Sequence, residues 1–109
     1  MGVVSISMPD ELEERSRSGL VLDVRTEQEY EEGHVPGATN LPVGRLLERI
    51  DEVGAGRDEP VFTVCGSGYR SSLAASLLER EGFESIGHLR NGFESWEEAQ
   101  KRIEGPDEA

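Results

Sequence analysis

The only cysteine of this 109-residue chain, Cys65, lies in a segment whose residue types could support nucleophilic chemistry. It directly follows the apolar run 61–64, and the segment after it contains two glycines and Arg70. Glycines allow a loop to curl with its N–H groups pointing inward, and a helix that follows adds the positive end of its dipole. Together with the charge of Arg70, these features favour a thiolate over a thiol. We therefore interpret Cys65 as a nucleophile rather than as an inert core residue.

Short apolar runs alternate along the chain with longer amphipathic segments. This alternation is typical of an α/β domain, in which helices cover both faces of a mostly parallel sheet. Ligands of such sheets gather at the carboxyl ends of the strands, where Cys65 is expected to lie. Five strands are predicted, over residues 3–6, 20–24, 38–41, 61–64 and 85–89. We expect a single domain over 1–104 and a frayed C-terminal tail over 105–109.

Helix boundaries are predicted from capping residues and from the spacing of apolar side chains. A capping-box spacing occurs at Ser7 with Asp10, and it recurs at Thr26 with Glu29. Apolar periodicity predicts a further helix over 46–53. Another helix follows the Cys65 loop and is expected to end at Gly82, in a left-handed cap. The last predicted helix runs to about residue 103.

Composition limits the classes of partner that the protein can have. The formal net charge is −12, which disfavours binding to nucleic acid or to an anionic membrane surface. No signal peptide and no long apolar run is visible, and one cysteine cannot form an intramolecular disulfide. We expect a cytoplasmic protein, because a reducing compartment keeps a single thiol reduced. The acid excess itself is compatible with plain solubility or with adaptation to salt or heat.

Three motifs, in order along the chain, carry a family resemblance. The loop resembles the C-x-x-G-x-R-S active-site loop of the rhodanese family at Cys65, Gly68, Arg70 and Ser71. Upstream, residues 22–42 resemble the family's first signature, from Leu-Asp-Val-Arg through Gly-His-Val-Pro-Gly-Ala to Asn-Leu-Pro. Residues 89–96 are similar to its C-terminal signature, although Asn91 occupies a position where glycine is common. The resemblance covers essentially the whole chain.

The resemblance implies a rhodanese-like fold and a sulfurtransferase reaction. A donor such as thiosulfate or a persulfide would give its sulfane sulfur to Cys65, and cyanide, a thiol or a protein would accept it, with ping-pong kinetics. Asp23 and Arg25 are expected to support the site, and neither a cofactor nor a metal is expected. The persulfide-binding loop would consist of Gly66, Ser67, Gly68, Tyr69, Arg70 and Ser71.

Two side chains of the first signature have mainly structural interpretations. We expect Arg25 to pair with Glu29 across one helical turn, or else Glu29 to serve the cap at Thr26. His34 is interpreted as a turn residue that hydrogen-bonds the backbone rather than as an acid–base group.

Two alternatives to sulfur transfer remain open at the level of the sequence. Phosphatases and arsenate reductases that are similar to rhodaneses place five residues between cysteine and arginine, whereas four separate Cys65 from Arg70. The shorter loop favours a pocket for one sulfur atom. A rhodanese-like binding or regulatory module is the non-enzymatic alternative, although such modules often lack the cysteine. Because Arg70 is the only cation of the loop, we expect thiosulfate to be used with a high Michaelis constant.

Overall fold

Five short strands form the central sheet of the computed structural model, which describes residues 3–66 and 69–105. The strands are β1 (Val3–Ile6), β2 (Leu20–Asp23), β3 (Thr39–Asn40), β4 (Val61–Val64) and β5 (Ile86–Leu89). Their order across the sheet is β1-β5-β4-β2-β3, and every neighbouring pair is parallel. The prediction of a mostly parallel five-stranded sheet is therefore confirmed.

Helices connect the strands, as crossover connections between parallel strands require. The α-helices are α1 (Pro9–Arg15), α2 (Glu27–Glu32), α3 (Tyr69–Arg80) and α4 (Gly92–Glu98). Three short 3₁₀ turns cover Ser16–Ser18, Val43–Arg45 and Ile50–Glu52. Among the described residues, no helix is long and apolar enough to cross a membrane.

The sheet separates two apolar cores, because successive side chains of a strand point to opposite faces. All four residues of β4 are buried, so both of its faces are covered. One core contains Cys65 and the buried side of α3, including Ala74 and Leu78. The other core contains Leu12 from α1 and Trp96 from α4. Helices therefore cover both faces, as the sequence predicted.

Two of the predicted helix signals are confirmed by the structure. The Thr26 side chain accepts the N–H of Glu29, and the Glu29 carboxylate accepts the N–H of Thr26, which forms a complete capping box at α2. At the end of α3, Gly82 has a φ of +95°, and the N–H of Phe83 reaches the carbonyl of Leu78. A left-handed glycine therefore ends α3, as expected.

The predicted α-helix over 46–53 is wrong, since this segment consists of turns and 3₁₀ structure. Leu46 and Val53 are buried, but Leu47 is 52% exposed. Hydrogen bonds of the 3₁₀ type, from Leu46 to Val43 and from Val53 to Ile50, are enough to direct these residues inward. Apolar spacings of three and four residues cannot distinguish single 3₁₀ turns from an α-helix.

The ends of two further helices differ from their predictions. Helix α1 begins at Pro9 after Met8, whose side chain makes no capping hydrogen bond, so the proposed Ser7 cap is wrong. Proline suits the first helical position because it has no N–H that would need a partner there. Helix α4 ends at Glu98 rather than near residue 103, and Gln100 has a left-handed φ of 58°.

Candidate active site

Cys65 lies at the carboxyl end of the central strand β4, where neighbouring segments hold its backbone on two sides. The N–H of Val24 donates to the carbonyl of Val64 at 2.9 Å and extends the pairing of β2 with β4. On the other side, the N–H of Phe93 donates to the carbonyl of Cys65 at 2.6 Å. Cys65 itself is only 1% exposed. The cysteine is therefore placed at the sheet edge where ligands of parallel sheets bind.

The first residues of α4 pack directly against the backbone that follows Cys65. Gly92 has a φ of +66°, and a Cβ atom there would lie 2.4 Å from the carbonyl oxygen of Gly66 and 2.5 Å from that of Cys65. The N–H of Glu94 donates to the same Gly66 carbonyl at 3.2 Å. Only glycine allows this approach, because real Cβ atoms do not come so close to backbone oxygens. Gly92 thus allows α4 to pack against the carbonyls of Cys65 and Gly66, where the chain leaves β4.

A buried threonine ties the start of α3 to the sheet. The Thr63 hydroxyl donates to the carbonyl of Ser71 at 2.9 Å, and both residues are fully buried. Because Thr63 belongs to β4, this bond sets the position of the first turn of α3 relative to the strand that carries Cys65. The loop between them is therefore anchored at both ends.

Asp23 and Arg25 form a buried ion pair beside β4. The Asp23 carboxylate accepts the Arg25 backbone N–H at 3.0 Å and its Nη2 at 2.8 Å, and the side chains are 1% and 7% exposed. Nη2 also donates to the carbonyl of Gly33, and the guanidinium lies 4.5 Å from the ring centroid of Phe93. The expected pairing of Arg25 with Glu29 is wrong, because the buried Asp23 carboxylate requires a cation more than an exposed helical one does.

Glu29 instead pairs with Arg70, the cation of the Cys65 loop. Nη1 and Nη2 of Arg70 donate to the two carboxylate oxygens of Glu29 at 2.7 and 3.0 Å. The hydrogen bond from Arg70 lowers the pKa of Glu29 to about 2, with a smaller contribution from the Thr26 cap, while burial acts in the opposite direction. The same bond raises the pKa of Arg70, and the charges of Glu29 and Asp23 add to this effect. The pair is therefore ionised at neutral pH.

An open cavity of about 250 Å³ lies beside these residues. Arg25 and Phe93 form part of its wall, and three carboxylates give it an acidic character. Its described lining consists of Arg25, Glu29, Glu32, Gly33, Phe93 and Glu97. The lining therefore carries more negative than positive charge.

Comparisons with known proteins agree with this geometry. A sequence model of the rhodanese-like domain matches residues 8–99. The chain belongs to the rhodanese family. Thiosulfate sulfurtransferase GlpE of Pseudoalteromonas translucida is 33% identical over 100 residues, covering 91% of this chain and 93% of that protein.

Two further relatives define how far the similarity extends. The protein YqhL of Bacillus subtilis is 38% identical over 80 residues, which cover 73% of this chain but only 62% of that protein. The crystal structure of a rhodanese-related protein from Thermoplasma volcanium matches with a TM-score of 0.83 at 29% identity, over 93% of this chain and 97% of that one. The fold of this domain is thus the rhodanese fold over nearly its whole length.

The structure brings several of the predicted site residues of this rhodanese domain together. Cys65, Gly66 and Arg70 lie at one sheet edge, since a Cβ atom on Gly66 would be 3.3 Å from Nη2 of Arg70. Ser71 is buried behind them, whereas Tyr69 is 80% exposed on the surface.

Other predictions on this domain have separate outcomes. The predictions for Ser67 and Gly68 lie outside the described residues, as do those for residues 106–109. His34 has its Nδ1 atom 2.7 Å from the carbonyl of Tyr30, so its predicted hydrogen bond to the backbone is confirmed, although His34 lies in an isolated bridge with Glu104 and the turn follows at 36–37.

Three residues that contact the segments around Cys65 were not assigned a site role from the sequence. Thr63 reads as an ordinary strand residue, and the only sequence signal for Gly92 is its place in the C-terminal signature. Glu29 was expected to pair with Arg25 or to serve the cap at Thr26, and no contact with Arg70 was predicted. A partner 41 residues away in the sequence leaves no local pattern.

Proposed function

We propose that the protein is a sulfurtransferase that carries a sulfane sulfur as a persulfide on Cys65. The observation that carries this proposal is the placement of Cys65 at the carboxyl end of β4, with the Arg70 guanidinium lying against the adjacent Gly66. A cysteine with a cation beside it, at the ligand-binding edge of a parallel sheet, is suited to react as a thiolate.

The first half-reaction loads sulfur onto the enzyme. The Cys65 thiolate attacks the outer sulfur of thiosulfate, a new S–S bond forms, and the S–S bond of the donor breaks. The bonding electron pair leaves with sulfite, so the two negative charges of thiosulfate depart on sulfite and the persulfide keeps the charge of the thiolate. A persulfide donor would react in the same way and would leave as a thiolate. Such covalent catalysis divides the transfer into two steps.

The second half-reaction passes the outer sulfur to an acceptor. A cyanide ion, a small thiol or a protein thiol attacks the outer sulfur, and Cys65 leaves as the thiolate. The N–H groups of residues 66–70 are proposed to stabilise the charge on the persulfide, in the manner of an oxyanion hole. Asp23 and Arg25 support the site from behind, since their ion pair packs against Phe93, which bonds Cys65.

The size of the loop supports sulfur rather than phosphate as the transferred group. Four residues separate Cys65 from Arg70, and Cys65 is 1% exposed. A loop of this length is expected to fit one additional sulfur atom better than a tetrahedral oxyanion. The name of the Pseudoalteromonas relative, a thiosulfate sulfurtransferase, supports the same reaction. We further propose one domain over 1–104 and function in a reducing cytoplasm, where the Cys65 thiol stays reduced.

Formation of thiocyanate from thiosulfate and cyanide tests this proposal. The wild-type protein should form thiocyanate with ping-pong kinetics, and Cys65→Ser should reduce the rate to background, because serine cannot hold the sulfur. Ser76→Ala, an exposed change on α3, is the matched control and should retain the wild-type rate. Absence of thiocyanate with wild-type protein would favour a binding module. Hydrolysis of a phosphomonoester that is lost in Cys65→Ser would favour a phosphatase instead.

A further inference from the structure

The cation of the Cys65 loop is held by a carboxylate from a different element. Glu29 on α2 binds both terminal nitrogens of Arg70, with nearly the same exposure of the two side chains, 36% and 34%. Bidentate contacts between arginine and a carboxylate are among the stronger ion pairs of proteins. The formal charges of the two groups cancel, so the loop next to Cys65 carries less positive charge than Arg70 alone would give it.

The position of Glu29 is fixed rather than adjustable. Its Oε1 atom accepts the backbone N–H and the hydroxyl of Thr26, at 3.0 and 3.1 Å, in addition to Arg70. These bonds belong to the capping box that begins α2. Because the cap and the ion pair use the same carboxylate, the folding of α2 positions this negative charge beside the loop.

The pair lies beside the loop that carries Cys65. A Cβ atom on Gly66, the residue after Cys65, would be 3.3 Å from Nη2 of Arg70, and Glu29 also lines the acidic cavity of about 250 Å³. Because Arg70 and Glu29 are in direct contact, a donor anion near the loop is attracted by one and repelled by the other. Each of these interactions grows in proportion to the charge of the donor.

We propose that Glu29 is a specificity-determining residue of this site, which offsets the charge of Arg70 and thereby reduces the preference for dianionic donors over less charged ones. This inference rests on the proposed sulfur transfer to Cys65. The charge of Glu29 weakens the binding of thiosulfate to the wild-type protein, and it weakens the binding of donors with a single negative charge less.

Two donors that differ in charge but share one reaction allow a direct test. Thiosulfate is a dianion and releases sulfite, whereas methanethiosulfonate is a monoanion and releases methanesulfinate. In both cases the Cys65 thiolate attacks the terminal sulfur, the donor S–S bond breaks, and the electron pair leaves on the sulfur–oxygen anion. The atoms and charges therefore balance in the same way, and only the charge of the donor differs.

The test substitution is Glu29→Gln, which removes the charge but keeps an oxygen that can accept the backbone N–H and the hydroxyl of Thr26. The KM for thiosulfate should fall about tenfold and that for methanethiosulfonate about threefold, because the gain scales with donor charge. The kcat values should change less than about twofold, since the bound complex of thiolate and donor carries the same total charge as the transition state. The control Glu32→Gln changes the net charge equally on the same cavity wall.

Several outcomes would overturn this inference. They are an unchanged KM in Glu29→Gln, an equal change for both donors, or an equal effect of Glu32→Gln. Thermal unfolding checks that the variant is folded, and if Glu29→Gln is destabilised, both KM values are measured well below its midpoint of unfolding, where the variant remains folded. Failure of the wild-type protein to take sulfur from either donor would contradict the proposed function itself, which separates the two claims.

Discussion

The buried Asp23–Arg25 pair is the main electrostatic element behind the candidate site. It joins the end of β2 to the carbonyl of Gly33 and to the ring of Phe93, whose N–H bonds Cys65. Charges that are so well buried are tolerated only when each has its partner. Its position therefore links the stability of the domain to the geometry around the cysteine.

Removal of one partner of this pair should destabilise the fold. Asp23→Ala leaves the Arg25 charge buried without its carboxylate, and we expect the free energy of unfolding to fall by about 3 kcal/mol. Denaturant unfolding measures this loss. The control is Glu11→Ala, which breaks the exposed pair with Arg15 and should cost less than about 1 kcal/mol. Equal losses in the two variants would contradict the assigned role of the buried pair.

Single residues were predictable from the sequence where the signal was local. The position of Arg70 next to Gly66, the residue after Cys65, was predictable because these residues are also close in the chain. The partner of Arg25 was assigned wrongly, because one-turn spacing favoured Glu29 and burial decided for Asp23. The Glu29–Arg70 pair depends on the packing of α2 beside the loop, which no local spacing encodes.

Helix α4 holds the end of β4 in position through hydrogen bonds. Its first residues donate two N–H groups to the carbonyls of Cys65 and Gly66. This contact requires the left-handed, side-chain-free backbone of Gly92. Helix α4 thus determines where the loop leaves the sheet.

A side chain at position 92 should therefore disrupt the loop. In Gly92→Ala the Cβ atom would overlap the carbonyls of Cys65 and Gly66, and we expect a loss of about 3 kcal/mol in the free energy of unfolding. Thiocyanate formation should fall with it, because the cysteine is displaced. Gly44→Ala is the matched control, since no heavy atom lies within 4 Å of a Cβ atom there, and its effect should stay within about 0.5 kcal/mol. A Gly92→Ala protein with wild-type stability and a wild-type rate of thiocyanate formation would show that α4 does not hold the end of β4 in position.

Elements were predictable to different degrees. The strands came from continuous apolar runs, and the cap of α2 from a specific pair of side chains, Thr26 and Glu29. An α-helix was wrongly predicted over 46–53, because the spacing of its buried side chains fits both an α-helix and separate 3₁₀ turns. Helix α1 begins later than predicted because Pro9 determines its first position and Ser7 does not.

The whole molecule is built on one parallel sheet with a core on each face. This arrangement brings the contacts around Cys65 together at the carboxyl end of β4. The radius of gyration is 12.5 Å, close to the value of about 13 Å expected for a single compact domain of this length. The parallel arrangement was predictable from the alternation of strands and helices. The order β1-β5-β4-β2-β3 was not, because the sequence does not encode which strands become neighbours.

The net charge of −12 acts on the whole molecule and adds to the effect of Glu29. An anionic donor meets a repulsive field before it reaches the loop, and salt reduces this field over a distance of about 10 Å. We therefore propose that Cys65 can react with sulfane sulfur in general and that the charge around it determines the donor.

Intact-mass measurement after incubation with thiosulfate shows whether Cys65 carries a persulfide. We expect the wild-type protein to gain the mass of one sulfur atom, cyanide or a thiol to remove it, and Cys65→Ser never to acquire it. A wild-type protein that gains no sulfur from thiosulfate, methanethiosulfonate or a persulfide, or a Cys65→Ser variant that gains it as readily, would rule out sulfur transfer through Cys65.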